Sequence, residues 1–248
     1  MKEKISIYNG RGIIHLKGSP SETILYVKKK PRIACFHAEI GTVWRYQIGE
    51  EIDENLLGEN YQYEKIVKSG DIDDEESLSK QFSHITQLLT NGSYELHLCK
   101  FSWEIDILPA ISKTDKSPYY DVYGGIAEIT ATQKYLNEDV VEEYKERINN
   151  GLRPIIILIK IKDSWAIYVI DGHHKFQAYR ELEVNPRALM ISKLDNKEIE
   201  QKEGIKIMKE LGMEKEDWIK TYEEEKETKA HERNFYDHYS KGLKTYFK

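Results

Sequence analysis

Over residues 1–112 apolar and polar positions alternate in short runs with a period near two. Residues 5–8, 13–16, 23–27, 33–37 and 42–48 are rich in Ile, Val, Tyr and Trp and are broken by Gly, Pro and Asn, the signature of half-buried strands. Asn9-Gly10-Arg11-Gly12 suits a hairpin turn. The period then lengthens. Leu78, Phe82, Ile85 and Leu89 recur at helical spacing, and Asn91-Gly92 follows, which predicts a helix over 74–89. Alternation returns over 94–103 as a further strand.

The pattern changes near Ser117-Pro118. Residues 119–129 read as a strand bent at Gly124-Gly125. Asn137 is a good N-cap for a helix reaching Asn150, with Val140, Val141, Tyr144 and Ile148 on one stripe and Glu138 and Asp139 complementing the dipole. Gly151 suits the position after the helix, and Pro154 forbids its continuation. Residues 155–161 are apolar almost throughout, as in a strand covered on both faces. Lys162-Asp163-Ser164 makes a turn, and 165–170 is a second β run. A helix from His173 to Leu182 presents Phe176, Tyr179 and Leu182, Asn185-Pro186 ends it, and 188–191 is a short last strand. From Leu194 the chain reads as helical and charged. The run Glu223-Glu224-Glu225-Lys226-Glu227 is a solvated face, and Phe235, Tyr239 and Leu243 form one docking stripe. The expected class is α+β, with a β-rich N-terminal domain (1–112), a central α+β domain (113–193) and a charged helical C-terminal extension (194–248).

Composition narrows the classes of function. Residues 1–12 are polar and hold no signal-peptide core, and no apolar run approaches the ~20 residues of a membrane helix, so a cytoplasmic protein with no membrane partner is expected. Cys35 and Cys99 sit in apolar contexts and read as reduced, buried thiols; two cysteines without paired spacing exclude a zinc ribbon. A net charge of −6 argues against a chain devoted to gripping nucleic acid. The one basic cluster, Lys28-Lys29-Lys30-Pro31-Arg32, reads as a solvated turn. His15, His37, His84 and His97 are scattered, as structural or surface residues are.

The chemistry concentrates at Ile170-Asp171-Gly172-His173-His174-Lys175, where a strand runs into a helix. A helix N-terminus there presents free N–H groups and partial positive charge, Gly172 permits close approach, and Lys175 adds a cation, so the turn suits a phosphate. Asp171 can hold Mg²⁺ or act as a base, and His173 or His174 can carry a proton near neutral pH. Adjacent His residues on a helix diverge and no third ligand is evident, which makes zinc held by these two a poor reading.

Residues 126–192 resemble the ParB/sulfiredoxin-type domain, and specifically its ParB-like branch. The shared pattern is a helix ending at Asn150-Gly151, a strand opening at Pro154-Ile155, and Tyr168-Val169-Ile170-Asp171-Gly172-His173-His174-Lys175 followed by Ala178 and Tyr179. The resemblance implies a nucleotide phosphate bound at this turn, in a superfamily of CTP-hydrolysing partition proteins, free-serine kinases, sulfiredoxins and reported nucleases. It makes Gly172 the turn glycine, Lys175 the basic phosphate contact, His174 the motif histidine and Asp171 the acidic residue of the kinase-like branch, with Glu128 as a second acid from an earlier strand. The sulfiredoxin cysteine would fall at His173, which excludes sulfinic-acid reduction. The partition proteins have Glu and Arg where His173 and His174 stand, and no helix-turn-helix follows, which argues against CTP switching and centromere binding. The resulting expectation is a protein that binds a nucleoside triphosphate or other phosphorylated small molecule with Mg²⁺, and performs phosphoryl transfer or hydrolysis. A nuclease or nucleic-acid-binding module, and a non-catalytic scaffold with a protein partner on the N-terminal half or C-terminal helix, are the alternatives.

Overall fold

The computed structural model describes residues 1–212 apart from 21, 40–42, 50, 51, 53, 59, 106, 109–118, 122–127, 134, 135 and 165. The bend at Gly124-Gly125, the acidic run at 223–227 and the stripe of Phe235, Tyr239 and Leu243 lie outside the described residues. In chain order the strands β1 (Lys2–Ile7), β2 (Ile14–Ser19), β3 (Glu22–Val27), β4 (Lys30–Glu39) and β5 (Val43–Gly49) precede a 3₁₀ turn at Glu54–Leu57 and helices α1 (Tyr61–Ser69), α2 (Leu78–Gln81) and α3 (Ser83–Thr86). Then come β6 (Gly92–Lys100), β7 (Ile107–Leu108), β8 (Tyr119–Asp121), β9 (Glu128–Thr130), α4 (Glu138–Asn149), β10 (Ile155–Ile161), β11 (Ala166–Asp171), α5 (His173–Glu181), β12 (Arg187–Lys193) and α6 (Gln201–Glu210). The class is α+β.

Two sheets carry these strands. The larger runs β1-β6-β12-β10-β11-β9-β7 and the smaller β2-β3-β4-β5-β8. In the larger sheet β10 is parallel to β12 and antiparallel to β11, while β11 is parallel to β9. The apolar run of β10 is explained by its two covered faces. Ile155, Ile157, Ile159 and Ile161 enter a core shared with Ile14, Leu16, Leu25, Phe82 and Leu89. Ile156 and Leu158 point the other way, against Val141 and Ile148 of α4 and Phe176 and Tyr179 of α5. Between the sheets, the Tyr168 hydroxyl lies 2.6 Å from Thr23 Oγ1, so a buried polar pair is satisfied inside the apolar layer.

The larger sheet runs across the expected boundary at 112/113. Strands β1 and β6 come from the N-terminal region, yet β6 pairs with β12 along seven residue pairs, from Arg187↔Lys100 to Lys193↔Tyr94. Asn9–Gly12 is likewise no hairpin turn. β1 pairs with β6 and β2 with β3, so the segment crosses between sheets, held where Arg11 and Gly12 donate to the Gln87 and Leu89 carbonyls. A tight hairpin turn at Lys28 and Lys29, both left-handed, joins β3 to β4 and holds the basic cluster.

The helix expected over 74–89 resolves into two single turns. Ser77 caps the first by accepting from the Lys80 N–H, and Phe82 leaves helical geometry at φ −104°, ψ 25°. Leu78, Phe82, Ile85 and Leu89 are all buried, so the apolar spacing reports a core face although the helix is broken. Residues 119–121 and 128–130 belong to different sheets, where a single bent strand was expected.

Candidate functional site

The turn after β11 is built by one glycine. Gly172 adopts φ +105°, ψ 29°, where a Cβ would stand 3.2 Å from Ile156 Cα and from Lys175 Cδ. It opens α5, and no side chain caps that helix. A register shift between Ile157 and Leu158 in the β10–β11 ladder leaves Asp171 opposite Ile157 and aims the strand end.

Asp171 is the polar centre of the turn. Its Oδ2 accepts from the Tyr63 hydroxyl at 2.8 Å and from the Lys175 ammonium at 3.1 Å. Among the described residues no hydrogen bond reaches Oδ1, and the side chain is 26% exposed. The carboxylate is thus held from the protein side and presents one oxygen outward. Tyr63 is buried, and burial and then the Asp171 charge push its phenol well above the ordinary range, so it stays a donor. Its ring packs against His84 at 5.2 Å, and His84 Nε2 contacts the Leu57 carbonyl at 2.6 Å.

Lys175 turns inward. It is 2% exposed, its Nζ also donates to the Ile155 carbonyl at 3.1 Å, and it stands 5.9 Å from the centre of the Tyr144 ring. Burial lowers its pKa, and Asp171 opposes that shift. The expected outward phosphate contact is therefore an interior strut, because a side chain in the first turn of α5 points back along the helix and down onto the sheet.

The two histidines act as acceptors. His173 Nε2 takes the Thr132 backbone N–H at 2.9 Å, and Thr132 Oγ1 donates to the Val169 carbonyl at 2.6 Å. His174 Nε2 takes the Asn137 N–H at 3.0 Å. Both bonds place the ring proton on Nδ1 and pin the connection between β9 and α4 against the α5 turn. Burial holds His173 down at about 4, so at neutral pH it is an uncharged acceptor.

Glu128 is not brought to this turn. It pairs with Ala166, at the opposite end of β11 from Asp171, which is about 16 Å away at ~3.3 Å per strand residue. The residue that sequence reasoning missed is Tyr63, which arrives from α1, outside residues 126–192. The capping signals of α1 are readable in hindsight: Asn60 accepts from the Tyr63 N–H, and Gly70 closes the helix in the left-handed region. Among the described residues no group of three or more His, Cys, Asp and Glu side chains is arranged to hold a metal ion, and no helix is long and apolar enough to cross a membrane. Compared with family models, with curated proteins and with solved structures, the chain finds no match in any of the three.

Proposed function

We propose that the chain is a ParB/sulfiredoxin-like protein that binds the phosphate of a nucleotide at the start of α5, with Mg²⁺-dependent phosphoryl transfer or hydrolysis as its chemistry. The observation that carries this reading is the uncapped, glycine-led N-terminus of α5 directly beside an aspartate with one oxygen uncovered. Backbone N–H groups and the helix dipole supply the anion contact, a task that Lys175 does not share. The residues fit a magnesium ion only as a partner of the ligand. Asp171 Oδ1 would be its one protein contact, with phosphate oxygens and water completing the shell, as is common for this cation. When bound, the ion neutralises phosphate charge. Asp171 is fixed for that role by Tyr63 and Lys175, and His174 holds the wall of the site through the Asn137 N–H.

The test is thermal unfolding of the full chain with ATP, CTP or inorganic phosphate, each with and without Mg²⁺. A ligand at 100 times its Kd should add ~2.7 kcal/mol. Asp171→Asn should remove the Mg²⁺ dependence and keep the shift produced by phosphate alone. No shift with any of these at about 10 mM would sink the proposal. The inward direction of Lys175 and His173 favours a second reading, a scaffold that uses the same turn only to lock α5. That reading requires ligand-free melting curves under every one of these conditions.

A further inference from the structure

We propose that the outer edge of β1 takes an extended segment of a partner protein as an added strand, one in which acidic and apolar residues alternate. β1 ends the larger sheet, and among the described residues it pairs only with β6. The Leu98 N–H donates to the Met1 carbonyl at 3.0 Å, one step beyond the Lys2↔His97 pair. Bonded pairs alternate in an antiparallel ladder, so Glu3, Ile5 and Ile7 bond to β6. The N–H and C=O groups of Lys2, Lys4 and Ser6 therefore face outward, a template for a further strand.

A groove of about 460 Å³ lies at this edge, lined by Ile5, Ser6 and Ile7 on the strand side and by Ser79, Thr86 and Gln87 of the helical segment. Its walls are tied down within the fold. Glu3 accepts from the Ser79 N–H at 2.9 Å and from the Ser79 hydroxyl at 2.6 Å. Thr86 Oγ1 donates to the Ser83 carbonyl at 3.2 Å, and the Gln87 carbonyl accepts from the Arg11 N–H at 2.8 Å. A pre-formed groove spares its ligand the cost of ordering it.

Strand alternation gives the two faces of this edge different chemistry. Glu3, Ile5 and Ile7 are half-buried on the helical side, so residues of an added strand opposite the two isoleucines would lie over an apolar floor. Lys2, Lys4 and Ser6 are exposed on the other face. Glu95 of β6 meets Lys2 at 2.9 Å and stands opposite Lys4, one carboxylate between two ammonium groups, which leaves that face cationic. Carboxylates opposite Lys2 and Lys4 are thus favoured. An antiparallel second copy would instead bring its own Lys2 and Lys4 to the same face, and edge lysines are a common device against such self-pairing. Tyr8, just past the strand, is 77% exposed and offers the partner an aromatic anchor.

Titrating the isotope-labelled full chain with a capped peptide of alternating valine and glutamate, followed by NMR, tests this. The amides of Lys4, Ser6, Ser79 and Gln87 should shift, and those of Lys4 and Ser6 should become protected from hydrogen exchange. The same peptide with lysine in place of glutamate should bind about tenfold more weakly, and Lys4→Glu should reverse that preference. Ser6→Pro removes an outward N–H and no bond to β6, and should also cost about tenfold. Equal binding of the two peptides, or no binding of either at about 1 mM, would overturn the proposal. So would a free chain that sediments as a dimer with the Lys4 and Ser6 amides already protected, because the edge would then belong to a second copy.

Discussion

At the scale of single residues, His173 shows how a side chain with catalytic credentials becomes structural. Its Nε2 is spent on the Thr132 N–H, and protonating that nitrogen would replace an attraction with two donors facing each other. The folded chain holds the group at about 4 against an ordinary 6.5, so as pH falls the unfolded chain takes the proton first. The resulting stability is fully present above pH 6.5 and is lost between 6.5 and 4, amounting to about 3 kcal/mol. His15 is lowered in the same direction, and its partial exposure discounts its share. Urea titrations at pH 7 and pH 4.5 should therefore show a large loss in the natural chain and a clearly smaller one in His173→Gln, which keeps an acceptor that does not titrate. Equal losses in both would remove His173 from the acid response. The sequence made Asp171 and Gly172 legible as the turn, since a strand's last polar residue and a glycine before a helix have few other uses. The outward direction expected of His173 and Lys175 is not the one they take, since both are buried and bonded inward. That direction depends on how α5 is rotated on the sheet, and nine residues of helix carry too little periodicity to fix it.

Among the elements, α1 matters most to the site and was least visible. Its nine residues include the buried Tyr63 and Val67, too few for a stripe to stand out, and the long spacing over 78–89 drew the helical reading instead. What fixes α1 is a close backbone approach at its end. Gly70 has φ +80°, a Cβ there would fall on the Arg153 carbonyl, the Arg153 N–H donates to the Ser69 carbonyl at 3.1 Å, and Arg187 donates to the Gly70 carbonyl at 2.7 Å. Gly70→Ala should then cost about 3 kcal/mol, from the strained φ and the displaced strand connection together. Tyr63→Phe leaves the helix seated and removes one hydrogen bond to a charged acceptor, for a loss of about 1–2 kcal/mol. Chemical denaturation of both variants checks the order. A Tyr63→Phe loss as large as that of Gly70→Ala would mean that Asp171, rather than the backbone contact, anchors α1.

For the whole molecule, the larger sheet decides what can fold alone. The stretch 126–192 supplies β9 to β12 and the helices α4 and α5, which close one face through Phe176, Tyr179, Val141 and Ile148. The other face of β10 has no cover of its own. Ile155, Ile157, Ile159 and Ile161 are buried by residues of β2 to β4 and by Phe82 to Leu89, all of which precede residue 113. The β12 edge is closed by β6, again from the N-terminal region. Strand alternation could reveal each strand but not its partners, because β6 and β12 are about ninety residues apart and pairing at such separation leaves no local mark. A fragment of residues 113–212 would expose a row of buried isoleucines and a seven-residue strand edge, a combination that invites aggregation. Such a fragment should lack a cooperative urea transition and bind a hydrophobic dye, whereas residues 1–212 should unfold in one step with coincident fluorescence and circular-dichroism midpoints. A fragment that melts cooperatively as a monomer would show that α4, α5 and four strands suffice as a core, and that the N-terminal strands are an addition to a self-standing unit.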